Sequence, residues 1–305
     1  MANSELFHST GIHRSTTIKT KPELVRIKYL DVIPQDGTKV KGTILLIHGF
    51  PQTSYQFRKV IPSLSAAGYR VVAPDTRGCG DSSKPMILDD YRKIHIAEDF
   101  RFLLQGHLGI GDPVHVVGHD IGGMIAHAYA NAFPKDTASV TWGECPLPSS
   151  SEYEETKGSV KQFHFSFHQI LDLPETLIKN NERAYLKHFY DKLGYNALGI
   201  TPADLDYYTA QYSQPGAIRG GINAYRMFEE DATDNRRVLK ENGKCKVRCM
   251  VLNGAAGGHA PQAKKVAEEF YENFEVVEID NAGHWIAEEN PEDFVREVKR
   301  FIEKS

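Results

Sequence analysis

Four cysteines in 305 residues, scattered at Cys79, Cys145, Cys245 and Cys249, are too few for a disulfide framework, and no histidine stands beside the last pair at zinc-finger spacing. They read as reduced core thiols. Long apolar runs are also missing: the longest, such as residues 44–47, fall far short of the ~18 that suggest a membrane span. Nor is there a basic excess. Lysine and arginine total 36 against 40 acids, a net charge of −4, with no basic stripe to neutralise phosphates, so nucleic acid is excluded as an expected partner. The first 21 residues are polar and lack the apolar core of a secretory signal, which makes a cytoplasmic location the default expectation. With no repeat and no low-complexity tract, what remains is a globular composition, 41% hydrophobic and 25% charged.

What is there is alternation. Strand-like runs at 26–33, 43–48, 70–74, 113–119, 139–142, 248–252 and 275–279 are separated by helix-like segments at 55–67, 94–108, 122–133, 260–273 and 291–304. Strand and helix in turn predict an α/β protein, a mostly parallel sheet flanked by helices. The alternation breaks between about residues 148 and 234, where helical, aromatic-rich sequence holds eight of the 14 tyrosines. We read 1–148 and 235–305 as the core domain and 149–234 as a helical cap over the carboxyl ends of the strands, where open α/β sheets bind ligands. Most of the eight tyrosines are expected to fill the small core of that cap.

Three features fall in order along the chain. The run from Val114 through Gly118-His119-Asp120-Ile121-Gly122-Gly123 packs a strand, a tight turn and a helix start into ten residues, with the small residues Gly118 and Gly122 flanking Asp120. A turn this sharp needs glycine on both sides and pushes the central side chain out over the sheet. A plainer role for Asp120 is a helix N-cap. Earlier, His48-Gly49-Phe50-Pro51 follows an apolar strand, so the N–H groups of Phe50 and Ile121 are candidate donors of an oxyanion hole. Later, Asn281-Ala282-Gly283-His284-Trp285 brings a histidine to the same sheet edge.

On these motifs the sequence resembles the α/β-hydrolase superfamily over almost its whole length, and the turn Asp75-Thr76-Arg77-Gly78-Cys79-Gly80-Asp81-Ser82 is similar to a structural turn of that family. The resemblance implies an α/β-hydrolase fold with an inserted cap, and Asp120 as nucleophile. A carboxylate suits displacement at saturated carbon, because the ester it forms can be opened by a histidine-activated water, whereas a serine would be left as a stable ether. Simple esterase chemistry is thereby disfavoured. His284 requires an orienting carboxylate. Many relatives carry it after the strand that follows the cap, but Asn253-Gly254-Ala255-Ala256-Gly257-Gly258-His259 holds no acid, which points to Glu144 in Gly143-Glu144-Cys145-Pro146, with Asp280 as the fallback.

Relatives with an aspartate nucleophile divide mainly into epoxide hydrolases and dehalogenases. Haloalkane dehalogenases tend to place tryptophan after the nucleophile, and fluoroacetate dehalogenases an arginine there and a His-Trp pair in the cap; this chain has Ile121 and His164-Phe165. The segments around Phe163-His164-Phe165, Leu173-Pro174-Glu175 and Asn223-Ala224-Tyr225-Arg226 look like the cap of the Cif-type epoxide hydrolases, which implies His164 and Tyr225 as donors to the epoxide oxygen. The expected activity is conversion of an epoxide to a vicinal diol, with no cofactor and no metal; the partners are a small-molecule epoxide and water, and a second copy of the chain is carried as a candidate partner. A dehalogenase of haloacids or haloalkanes and a non-catalytic, receptor-like binder on the same fold are the alternatives. Phe167, Tyr207, Tyr208 and Met227, with Ile170 and Leu171, are the expected substrate-pocket liners.

Overall fold

A computed structural model of the chain describes residues 12–19, 24–35 and 39–304. Residues 1–11 and 20–21 of the polar N-terminal stretch lie outside the described residues. Eight strands form one sheet: β1 (Ile12–Lys19), β2 (Leu24–Val32), β3 (Gly42–Ile47), β4 (Tyr69–Pro74), β5 (Val114–His119), β6 (Thr137–Gly143), β7 (Cys249–Gly254) and β8 (Phe274–Ile279), in spatial order β1-β2-β4-β3-β5-β6-β7-β8. The hairpin β1–β2 and the β2–β4 pair are antiparallel, and every other pairing is parallel. β3, β5 and β7 sit mid-sheet with both faces covered by helices, which is why Ile44, Leu45, Val116, Val117, Met250 and Val251 are apolar without alternation and fully buried.

The strand order places the site. From β3 the chain crosses to β4 on one side, and the next strand, β5, returns to the other side of β3. The two crossovers diverge from the β3/β5 boundary, opening a crevice past the carboxyl ends of these strands. Both His48-Gly49-Phe50 and Asp120 lie there.

Seven of the eight strands match the alternation read from the sequence. β1 was not expected, because its run Ile-His-Arg-Ser-Thr-Thr-Ile-Lys is polar; it is an edge strand whose exposed His13, Arg14 and Ser15 need no apolar partner. The helix expected over 94–108 begins as an α-helix, Lys93–Arg101, and continues as wider π-type turns through His107. The four cysteines are free and buried. Among the described residues no helix is long and apolar enough to cross a membrane, and no cluster of three or more metal-ligating side chains occurs.

Between β6 and β7 the chain is helical, from Ser151–Thr156 through Phe163–Gln169, Leu173–Ile178, Glu182–Leu193, Pro202–Tyr212 and Ala217–Arg226 to Phe228–Asn242. The last helix runs without interruption past residue 234, so the expected cap boundary falls inside it. Buried ion pairs fasten this insert to the sheet domain: Arg58 bonds Glu288 at 2.6 Å and the insert's Asp204 at 2.8 Å, and Lys93 bonds Asp231 at 2.7 Å. Leaving any one of these charges unpaired would cost about 3–5 kcal/mol, so the insert is pinned in register on the sheet.

Candidate active site

Asp120 occupies a tight elbow between β5 and helix Ile121–Ala132, with φ 55° and ψ −128°. Glycine on both flanks is a steric necessity here: a β-carbon on Gly118 would strike the carbonyl of Gly122, and one on Gly122 the carbonyl of Ile47. Gly49 is held to glycine by the same logic, since its β-carbon would strike the Asp120 side chain. The Asp120 carboxylate does not cap the helix. It turns outward and accepts hydrogen bonds from the backbone N–H groups of Phe50, at 2.8 Å, and Ile121. Burial raises its pKa, partly offset by His284 and these two donors.

His284 lies with Nε2 3.8 Å from Asp120 Oδ2 and Nδ1 3.2 Å from Glu144 Oε2. Glu144 follows β6 in a left-handed conformation, φ 57°, and is buried. Its N–H donates to Asn253 Oδ1 at 2.6 Å, and its Oε1 accepts from the Gly254 N–H at 2.7 Å. The glycine-rich loop after β7 therefore wraps Glu144 closely enough that a β-carbon on Gly257 would meet the carboxylate. Asp280, the fallback acid, is exposed, and among the described residues its side chain has no hydrogen-bond or ion-pair partner; its backbone carbonyl accepts from Asn290 at 2.9 Å. Burial pushes the His284 pKa down to about 4, against the pull of Asp120, so at neutral pH the imidazole is unprotonated and able to accept a proton.

Two supports of His284 carry no sequence signature. His119, next to Asp120, donates from Nε2 to the His284 carbonyl at 2.6 Å; burial lowers its pKa to about 3 and keeps it neutral. Glu289 accepts from the N–H groups of Gly283 (3.1 Å) and Trp285 (2.9 Å) on either side of His284, and also from Tyr195 (2.7 Å) and Asn196 (2.6 Å) of the insert.

A cavity of about 560 Å³ separates the sheet from the insert and is lined by Asp120, His284, Phe50, His164 and Tyr225 among others. His164 comes from helix Phe163–Gln169 and Tyr225 from Ala217–Arg226, and their rings meet edge-on at 5.5 Å. Burial lowers the His164 pKa to about 3 and raises that of Tyr225 well above 10, so both are neutral and the phenol keeps its proton. Among the described residues neither side chain has a hydrogen-bond partner; His164 Nδ1 is a buried orphan.

The expected liners Phe167, Tyr207, Tyr208 and Met227 lie elsewhere. On helix Phe163–Gln169, two residues beyond Phe165 turn Phe167 about 200° away, into a separate outer groove with Phe163, Leu177 and Tyr185. Tyr208 is buried with its hydroxyl on Glu288 at 2.8 Å, and Tyr207 stacks on Tyr55 at 4.0 Å, because helix Pro202–Tyr212 packs on the Arg58–Glu288 clamp and not over Asp120. Met227 is half-buried at the junction of two helices, and Ile170 and Leu171 are exposed. The inner apolar walls come instead from Phe50, Pro146, Phe165, Phe189 and Leu193. Also missed was His259, which lines the cavity and bonds Glu152 Oε1 through Nδ1 at 2.7 Å. Burial alone would lower its pKa, but the hydrogen bond and charge of Glu152 reverse this and raise it.

A family model described as the alpha/beta hydrolase fold matches residues 42–291. The chain is 32% identical over 266 residues to the soluble epoxide hydrolase of Corynebacterium sp. (strain C12), covering 85% of this chain and 89% of that protein. Its fold is similar to the crystal structure of Cfl2 from Burkholderia cenocepacia, with a TM-score of 0.83 at 29% identity over 95% of each chain. It is likewise similar to the epoxide hydrolase CorEH solved without ligand, with a TM-score of 0.81 at 28% identity over 95% of this chain and 98% of that one. With the family match spanning most of the chain, the protein belongs to the α/β-hydrolase family.

Proposed function

We propose that the protein hydrolyses an epoxide to a vicinal diol through an ester on Asp120. The observation that carries this reading is the pairing, across one cavity, of the Asp120 carboxylate with two neutral donors from the insert, His164 and Tyr225, that have no other partner among the described residues. A strained ether opens when its carbon is attacked and its oxygen is given a proton together. Oδ1, held by Phe50, is set to become the ester carbonyl oxygen, which leaves Oδ2 to attack. As the ring C–O bond breaks, the oxygen takes the Tyr225 proton and a hydrogen bond from His164.

In the second half His284 takes a proton from water, whose oxygen attacks the ester carbonyl, and Glu144 stabilises the resulting imidazolium. The tetrahedral oxyanion forms where the Phe50 and Ile121 N–H groups point. Collapse expels the diol oxygen, which takes its proton from His284; the other water proton passes from the freed Asp120 carboxyl back to Tyr225. The sum is epoxide plus water giving diol. Two of the similar proteins, the soluble epoxide hydrolase of Corynebacterium sp. (strain C12) and CorEH, are epoxide hydrolases, which supports this reading. A carbon–halogen reading finds no indole to receive a halide: Trp142 donates to Cys249, and neither it nor Trp285 lines the cavity.

The test is the intact mass of His284→Gln after exposure to a panel of small epoxides, haloacetates and haloalkanes. We expect a gain equal to a whole epoxide, on Asp120. A gain equal to substrate minus hydrogen halide would make the protein a dehalogenase, and an unchanged mass across the panel would favour the receptor-like binder.

A further inference from the structure

Two carboxylates, Asp120 and Glu144, flank a single imidazole, and that imidazole is unprotonated at neutral pH. Burial keeps His119 and His164 neutral too, so none of these three rings offsets the two acids. Burial also raises the pKa of both acids, favouring their neutral forms, although both act as anions in the proposed reaction. The positive charge comes from His259.

His259 sits where two parts of the chain meet. It ends the glycine-rich loop after β7, whose Gly254 N–H holds Glu144 Oε1 and whose Gly257 leaves no room for a β-carbon beside the Glu144 carboxylate. From the other side comes Glu152, in the first turn of helix Ser151–Thr156, where the insert begins. That turn is fixed to the sheet domain by Glu269, which accepts from the Ser151 N–H at 2.9 Å. Glu152 and His259 both line the cavity, and the Glu152 side chain is buried. A carboxylate 2.7 Å from Nδ1 favours the imidazolium and outweighs the cost of burial, so the His259 pKa is raised. Its charge reaches the whole site: it favours the ionised forms of Asp120 and Glu144 and opposes protonation of His284 and His164. For Glu144 it is the largest influence favouring the anion, ahead of the Gly254 N–H. Lys161 and Lys192 carry charge on the same wall, but both residues are exposed and their fields are screened by solvent.

We propose that His259, backed by Glu152, is a positioning residue whose fixed positive charge holds the resting site with Asp120 as a carboxylate and His284 as a neutral base. Its catalytic consequence rests on the reading of Asp120 as nucleophile and His284 as base; the charge coupling belongs to the resting protein and does not. The sign is the same for both partners. Without the cation Asp120 and His284 are each protonated more readily, and since the active form has neither protonated, the acid limb of activity moves upward in pH.

NMR of the histidine rings of the full chain, followed against pH, tests the coupling with no substrate present, each ring being identified by the signal lost on its substitution. In the wild type the His259 ring is protonated at pH 7 and titrates above the ordinary ~6.5 of histidine, whereas His284 titrates near 4. His259→Gln keeps a hydrogen-bonding side chain without the charge, and the His284 midpoint rises by about one pH unit, the lower end for a neighbouring charge. His259→Lys restores a charge on a different side chain and returns the midpoint towards the wild-type value. The acid limb of kcat/KM with a reactive epoxide moves with it in both variants. A wild-type His259 that is neutral at pH 7 overturns the proposal without any variant. So does a His284 midpoint that stays in place in His259→Gln, or one that rises equally in both variants, which would make the Glu152 bond a structural tie alone. A charge-dependent His284 midpoint in a protein that forms no Asp120 adduct with any epoxide keeps the coupling and removes the hydrolase reading.

Discussion

Replacing Glu144 by glutamine changes one atom and should trap the reaction halfway. The Gly254 N–H donates to Oε1 at 2.7 Å, so a glutamine there keeps its carbonyl oxygen on Gly254 and must turn its NH2 towards His284 Nδ1, 3.2 Å from the other oxygen. An amide donor facing Nδ1 forces the neutral imidazole into the tautomer protonated at Nε2, the nitrogen that faces Asp120. That nitrogen can then accept nothing from water. A wrong tautomer in an analogous triad costs about 10⁴-fold, or roughly 5.5 kcal/mol of barrier. Ring opening, in which His284 takes no proton, should change by less than about tenfold, a difference of ~1.4 kcal/mol. Rapid-quench measurement with a reactive epoxide should show a burst of one equivalent of adduct, followed by hydrolysis slowed by three to four orders of magnitude, a loss of about 4–5.5 kcal/mol. If both steps slow equally, or if Asp280→Asn and not Glu144→Gln gives the burst, the assignment of the acid is wrong.

Tyr225→Phe removes one of two donors to the ring oxygen, so adduct formation should slow by about 10²- to 10³-fold while adduct hydrolysis stays near its original rate; equal slowing of the two phases would argue against that role. The pH profile should lack the step near 6.5 of an ordinary imidazole. Activity needs Asp120 ionised and His284 unprotonated, and both forms are gained as pH rises, so activity is lost on acidification, near pH 4, where His284 titrates. Tyr225, raised above 10, adds no alkaline limb below that pH; a kcat/KM inflection at 6–7 would contradict the burial of His284. Gly122→Ala should lower stability by about 3 kcal/mol or more, at the upper end for overpacking, because the new β-carbon meets the Ile47 carbonyl; an unchanged thermal midpoint would show that the elbow can relax.

The parts legible in the sequence are those where backbone geometry restricts residue choice. Gly118 and Gly122 declare the elbow because no larger residue fits, and the central strands declare themselves because both faces are buried. The parts not legible depend on how the insert lies on the sheet. Phe165 and Phe167 look equivalent in sequence, yet half a helical turn sends one into the cavity and the other into an outer groove. Tyr207 and Tyr208 were drawn away by Arg58, Asp204 and Glu288, charges more than 80 residues apart that no local pattern connects. His259 was read only as part of a glycine-rich loop, since its significance arises from Glu152, 107 positions earlier.

The insert does more than cover the crevice. The N–H of His284 donates to the carbonyl of Leu193 at 2.9 Å, and Glu289 gathers backbone N–H groups from the histidine loop and from Tyr195 and Asn196 onto one carboxylate. The position of His284 relative to Asp120 is therefore set by the insert as much as by the loop after β8. Leu193 and Phe189, on that same helix Glu182–Leu193, line the cavity, and so does Lys192 at its rim. One helix thus shapes the pocket and also holds the backbone of the residue proposed to activate water. A substitution that shifts this helix to admit a larger substrate must also shift His284, so changes in substrate range should appear in the hydrolytic step as well as in binding.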